Sequence, residues 1–311
     1  MNLQYPSSPR RGIPSNFQCR APNYLVSSRL NNEGVFLVLE KCDYRQATRS
    51  FLRALDLMER DSKHLTARKK VFETVTSRIF SQEDTIMNRS MDRHNGLKGS
   101  PIALRAEYDH GLDQYRTFYR LDDSCEKHAT VKILFNLGRV FHNQGRFDMA
   151  ADCYKELLQR REEVSGNDEK LVYLAGLFSM GHCQYKQGDL RALPTYWAAL
   201  SVAQKLEQRH HEAACINAIG MVILSMPAGK YQVALQAFQT SLEIRRQCLS
   251  EDHHEVGTTW NNIGQSYYKQ GNYPKALEAY NQALRVRRLN RDAPDGIDVT
   301  ATLLNLGQVC Y

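Results

Sequence analysis

The chain has 311 residues, 41 Lys plus Arg against 34 Asp plus Glu, a net charge of +7 and 42% hydrophobic residues. That is enough apolar material for continuous helix packing, and too modest a charge for composition alone to define a nucleic-acid binder. No stretch approaches the roughly 20 apolar residues of a membrane span. Residues 1–20 carry prolines and arginines around no apolar core, so they are not read as a secretory signal.

In chain order, residues 1–28 hold Pro6, Pro9, Pro14 and Pro22 with Arg10, Arg11 and Arg20 and no acid, and are expected to form a disordered basic tail. Residues 29–80 are expected to hold a helical pair. Gly34-Val35-Phe36-Leu37-Val38-Leu39 leads to Asp43-Tyr44, then Ala47, Phe51 and Ala54, and a helical stripe could run on through Leu65, Val71, Phe72, Val75 and Ile79. Residues 81–126 form a linker or irregular cap: periodicity fades, Asn95-Gly96 and Gly99-Ser100-Pro101 break the chain, and the aromatic-rich stretch to Leu121 is expected to pack on the first repeat unit.

Residues 127–311 are dominated by a repeat. Gly138, Gly181, Gly220, Gly264 and Gly307 recur at a period of a little over 40, a spacing that marks stacked supersecondary units. Leu137-Gly138 is followed by Phe141, Gly145, Phe147, Ala150 and Tyr154. Ile263-Gly264 is followed by Tyr267, Gly271, Tyr273, Ala276, Tyr280 and Ala283. The repeat glycine lets a second helix pack close. A small residue and then an aromatic four positions on (Tyr154, Trp197, Phe238, Tyr280) fill the space, and Gly145, Gly188 and Gly271 sit where a left-handed residue ends the first helix. Pro194 predicts a kink or a late helix start in the second unit. The fifth unit reaches Tyr311 with one helix.

This pattern resembles the tetratricopeptide repeat over about residues 129–311. The long period and the run Asp252-His253-His254-Glu255-Val256-Gly257-Thr258-Thr259-Trp260-Asn261-Asn262-Ile263-Gly264 are similar to the kinesin-light-chain subtype, whose D-H-P-x-V-A-x-x-x-N-N-L-G pattern it departs from at His254 and Gly257. A kinesin light chain proper carries a heptad segment before its repeats, and residues 1–128 show no sustained a/d pattern. The resemblance implies an all-α, right-handed superhelical solenoid of antiparallel helix pairs: four pairs and one terminal helix, preceded by the N-terminal pair.

Chemistry is sparse. His210-His211 and His253-His254 are adjacent pairs, which cannot present two ligands to one metal as i,i+4 histidines can, and are expected in exposed inter-unit loops. Glu162-Glu163 and Asp122-Asp123 read as solvated charges. None of the eight cysteines is in C-x-x-C spacing, and Cys153, Cys183 and Cys215 read as buried thiols of a reducing compartment, the cytoplasm or nucleus. No phosphate loop, dinucleotide loop or nucleophile elbow is present, so no catalytic residue, cofactor or metal is expected. Arg245-Arg246, Arg285 and Arg287-Arg288 are expected to face outward or to complement helix C-termini.

Offsets from the repeat glycines select a polar row on the first helices. Asn136, Ser179, Asn262 and Asn305 stand two before, with Ala218 and its neighbour Asn217 in the third unit. Arg139, His182, Gln265 and Gln308 stand one after, Asn143, Lys186 and Lys269 five after, and Lys132 extends the row. Asparagine is a mediocre mid-helix residue. Its recurrence points either to a groove amide that reads a peptide backbone or to a bond with the adjacent helix. The repeats imply a non-enzymatic interaction scaffold whose concave groove takes an extended peptide, and the basic residues favour an acidic or carboxylate-ended partner. The alternatives are a self-associating solenoid that pairs through its last helix, or a nucleic-acid contact through the basic tail.

Overall fold

The computed structural model describes residues 22–60, 119, 121, 129–160, 166–227, 229–289 and 297–310. Among them are helices α1 (Pro22–Leu39), α2 (Tyr44–Arg60), α3 (Ala129–Asn143), α4 (Phe147–Gln159), α5 (Asn167–Lys186), α6 (Ala192–Lys205), α7 (Arg209–Ser225), α8 (Tyr231–Cys248), α9 (His254–Lys269), α10 (Tyr273–Leu289) and α11 (Ile297–Cys310). Each helix packs on the one before and the one after it, and α2 stacks directly on α3. The result is an all-α solenoid of antiparallel pairs, with its apolar core between successive helices.

The pairs close around the repeat glycines. A Cβ added at Gly138 would stand 2.6 Å from the Tyr154 ring, at Gly220 2.7 Å from Phe238, and at Gly264 2.6 Å from Tyr280. Tyr154, Phe238 and Tyr280 are buried, so the ring occupies the space that the missing side chain leaves. Gly34 and Phe51 repeat the arrangement in the first pair, at 2.8 Å.

The second unit departs from the expected register. Tyr196, not Trp197, meets Gly181, at 2.9 Å, and Trp197 is 54% exposed. The small residue four positions earlier is Ala192, which is fully buried, rather than Leu193. The cause is a late helix start: α6 begins at Ala192, well beyond Gly188, so Pro194 falls in its first turn where no N–H is needed. The helix therefore needs no kink, and its faces are rotated by one residue relative to a count from the other units.

The first helix of this unit type ends as expected. Gly145 has φ +72°, its N–H reaches the His142 carbonyl, and the Arg146 N–H reaches the Phe141 carbonyl, both at 2.9 Å. At the other end of the chain, α1 starts at Pro22, inside the stretch read as tail. Proline suits the first helical position, and Tyr24 is buried against the pair. The rest of that stretch, the continuation through Leu65 to Ile79, and residues 81–118 lie outside the described residues.

Two arginines correct the expectation that they face outward. Arg245 is 1% exposed. Its Nη1 donates to the Glu255 carbonyl at 2.8 Å and to the Thr259 hydroxyl, and its Nε stands 3.3 Å from the buried Glu255 carboxylate. Arg287 repeats this one unit on, donating to the Asp298 carbonyl at 2.6 Å and to the Thr302 hydroxyl. Each ties the end of a second helix to the first turn of the next first helix, where carbonyls and a threonine supply fixed acceptors. Arg246, Arg285 and Arg288 are exposed.

Candidate functional site

The first helices α3, α5, α7, α9 and α11 touch one another in succession. Residues at matching offsets therefore form a row along one side of the solenoid. An asparagine ladder crosses that row. Asn262 donates from Nδ2 to Asn217 Oδ1 at 3.1 Å, and Asn305 donates to Asn261 Oδ1 at 3.0 Å. Asn136 donates to Asn31 Oδ1 at 2.9 Å. In each case the asparagine two before a repeat glycine bonds to the one three before the glycine of the preceding unit. The recurring amide thus bridges neighbouring first helices, one of the two roles open from sequence.

Asn136 does more. Its Oδ1 accepts from the Tyr119 N–H, and its Nδ2 donates to the Tyr119 carbonyl, both at 2.8 Å. The same carbonyl accepts from Asn31 Nδ2 at 3.0 Å. Asn32 grips Leu121 in the same way: Oδ1 accepts from its N–H and Nδ2 donates to its carbonyl, both at 2.8 Å. The Ser28 hydroxyl adds a bond to that carbonyl at 3.3 Å. Asn31 and Asn136 are fully buried, and the Tyr119 ring sits edge-on to Phe135 with centroids 5.2 Å apart. Asn31 and Asn32 escaped the sequence reading, although Asn31-Asn32 before Gly34 has the spacing of Asn261-Asn262 before Gly264.

The remaining row residues divide by exposure. Lys186, Gln265, Lys269 and Gln308 are exposed, and Lys132, Asn143 and His182 are half-buried. Ser179 and Asn217 are buried; Asn217 Nδ2 also faces the Met221 sulfur at 3.7 Å. Lys269 Nζ stands 6.0 Å from the Tyr231 ring centroid. Gln308 lines a shallow pocket with Tyr268, Thr300, Leu303, Leu304 and Gly307, and Leu303 and Leu304 are themselves exposed.

Near the first unit the row becomes a partly buried corner of Arg139, His142 and His182. His142 Nε2 lies 2.9 Å from His182 Nδ1, with Arg139 buried beside them. Burial holds the His142 imidazole well below its usual protonation range, and His182, Arg139 and Lys186 push it the same way. It is therefore neutral at pH 7. Burial also pushes the Tyr119 phenol up to about 12, against a partly offsetting pull from Arg139.

The histidine pairs are not loop residues. His210 and His211 open α7, and His253 caps α9, accepting from the Glu255 N–H at 3.3 Å. His210 Nε2 stands 3.2 Å from Glu255 Oε1. The turns between units are short, so these pairs fall at helix starts, where His210 meets Glu255 and His253 of the following unit. No group of three or more metal-ligating side chains occurs among the described residues. Cys153, Cys183 and Cys215 are buried with thiols pushed up by burial. Asp122-Asp123 and Glu162-Glu163 lie outside the described residues, and no described helix is long and apolar enough to cross a membrane.

Tetratricopeptide-repeat family models match residues 212–289, from within α7 to the end of α10, and residues 131–163. These two stretches of the chain are tetratricopeptide repeats. Among solved structures the chain is similar to BtubC (BKLC) from P. vanneervenii, at 18% identity over 88% of this chain and 93% of that one, TM-score 0.48. It is similar to a Rap protein complexed with competence and sporulation factor, at 18% identity over 91% and 70%, TM-score 0.49. A Podospora anserina putative kinesin light chain with nearly identical TPR-like repeats matches at 12% over 86% and 98%, TM-score 0.48. With every TM-score under 0.5, these likenesses assign neither partner nor activity. No curated protein matches the sequence.

Proposed function

We propose that the protein is a non-enzymatic interaction scaffold that binds an extended peptide of a partner along its row of first helices. The observation that supports this most is the exposed polar set on that row, Lys186, Gln265, Lys269 and Gln308, above a ladder of asparagines that fixes the helices beneath it. Amides of this kind pair with a peptide backbone whatever its sequence, and the lysines select for acidic side chains or a terminal carboxylate. Short groove peptides are expected to bind in the micromolar range, about −8 kcal/mol.

The test is a peptide library with acidic and with carboxylate-ended members, measured by fluorescence anisotropy against the wild-type chain and a Lys186→Glu/Lys269→Glu variant. Both lysines are exposed, so the variant is expected to keep its helical circular dichroism. The reading expects the best acidic binders to lose at least tenfold. Selected peptides that bind both proteins equally would refute the groove assignment. The burial of Arg245 and Arg287 removes them from any basic surface that could meet nucleic acid.

A further inference from the structure

Asn31 and Asn136 are 105 residues apart in sequence, and the chain returns between them to lay Tyr119 and Leu121 across the start of the first-helix row. The contacts have the form of peptide recognition. Alternate residues of an extended strand present N–H and C=O to the same side, and here each of two alternate residues is met by one asparagine amide that both accepts and donates. Side chains add selection: an aromatic ring against Phe135, and a leucine that is only 5% exposed. The pair α1 and α2 also meets α3 without this segment, since α2 packs directly on α3, while Leu121 joins the hydrophobic core beside them. Two bidentate amides and the Ser28 hydroxyl are placed on main-chain atoms of Tyr119 and Leu121, neither of which lies in a described helix.

We propose that Asn31, Asn32 and Asn136 form a peptide clamp that the chain fills with its own Tyr119 and Leu121, and that a partner segment with the same aromatic-x-leucine spacing takes the clamp by displacing them. The inference rests on the groove reading and adds to it an internal competitor at the N-terminal end of the row. A segment tethered in the same chain competes at an effective concentration in the millimolar range. A free peptide with an intrinsic dissociation constant of about 10 µM is therefore weakened about 100-fold while the internal segment is in place.

The experiment uses the full chain and a labelled peptide of residues 115–124, followed by fluorescence anisotropy. Tyr119→Pro/Leu121→Pro removes the two N–H donors that Asn136 and Asn32 accept. The proposal expects the wild-type chain to bind the peptide weakly and the double-proline variant to bind it at least 30-fold more tightly. Adding Asn32→Asp, which keeps the acceptor and loses the donor, is expected to reverse the gain at least tenfold with unchanged circular dichroism; Asn136→Ala is expected to do the same. Equal binding to wild type and double-proline variant would overturn the proposal. So would a double-proline variant that loses helix content, since the strand would then be a fixed structural tie. A well-folded double-proline variant that binds no peptide would also overturn it, yet leave the groove reading intact if acidic peptides still respond to Lys186→Glu/Lys269→Glu. Loss of that response together with a gain of clamp binding would uphold the clamp and refute the lysine-lined groove.

Discussion

The same substitution at two equivalent repeat positions is expected to have opposite signs. At Gly264 a Cβ would lie 2.6 Å from Tyr280 Cδ1 and 2.7 Å from Cε1, inside any real carbon–carbon contact. The ring is 2% exposed and sits among buried Ala276, Ala279 and Ala283, so it has little room to retreat. Overpacking of this kind costs about 1–3 kcal/mol. Replacing a mid-helix glycine by alanine recovers about 0.8–1 kcal/mol of propensity, which leaves Gly264→Ala destabilised by up to about 2 kcal/mol. At Gly307, a Cβ would meet nothing within 4 Å. Only the propensity gain remains there, and Gly307→Ala is expected to stabilise α11 by up to about 1 kcal/mol. Urea unfolding followed by circular dichroism reads both. Repeat arrays can unfold in steps, so the comparison is of midpoints at a common slope. A Tyr280→Leu background should relieve Gly264→Ala, and the double-mutant cycle should return a coupling above about 0.5 kcal/mol. Equal effects at the two glycines, or no coupling to Tyr280, would refute the ring-in-glycine account of the repeat.

The arginine ties offer a second test. Arg245→Ala leaves the fully buried Glu255 carboxylate facing the His210 and His211 imidazoles without its guanidinium, and is expected to cost about 3–5 kcal/mol. Arg245→Met with Glu255→Gln is expected to restore most of that loss; a single-variant loss below about 1 kcal/mol in urea unfolding would contradict the buried-pair reading. The third test is pH. His142 is held well below 6.5, and His211 is lowered to about 4, chiefly by burial and then by His210. Between about pH 6.5 and 4 the unfolded chain binds more protons than the folded one, so stability rises with pH across that window and falls on acidification. His211 contributes at most about 3 kcal/mol to this loss. His211→Gln is expected to flatten the drop in urea midpoint between pH 7 and pH 5, and an unchanged slope would count against the assignment.

The glycine period, the small–aromatic spacing and the left-handed turns were legible in the amino-acid order because they are local. A repeat glycine, its cap glycine and its aromatic partner lie within one helix pair, and five near-copies average out the noise of any one. The exception shows the limit. α6 starts two residues later after its turn glycine than α4 and α10 do, and its ring comes one position earlier than in those units, so Tyr196 fills the site that spacing assigned to Trp197. The buried role of Arg245 and Arg287 was likewise hidden, because a charged side chain at a helix end reads the same whether it meets water or the next helix's carbonyls. The polar row itself was found by counting, yet its meaning was not. An asparagine carries donor and acceptor together, so it suits a neighbouring helix and a peptide backbone equally well. Which of these it meets depends on what the chain brings alongside. Stacking brought Asn217 to Asn262 and Asn261 to Asn305, while the return of a segment distant in sequence brought the Tyr119 backbone to Asn136.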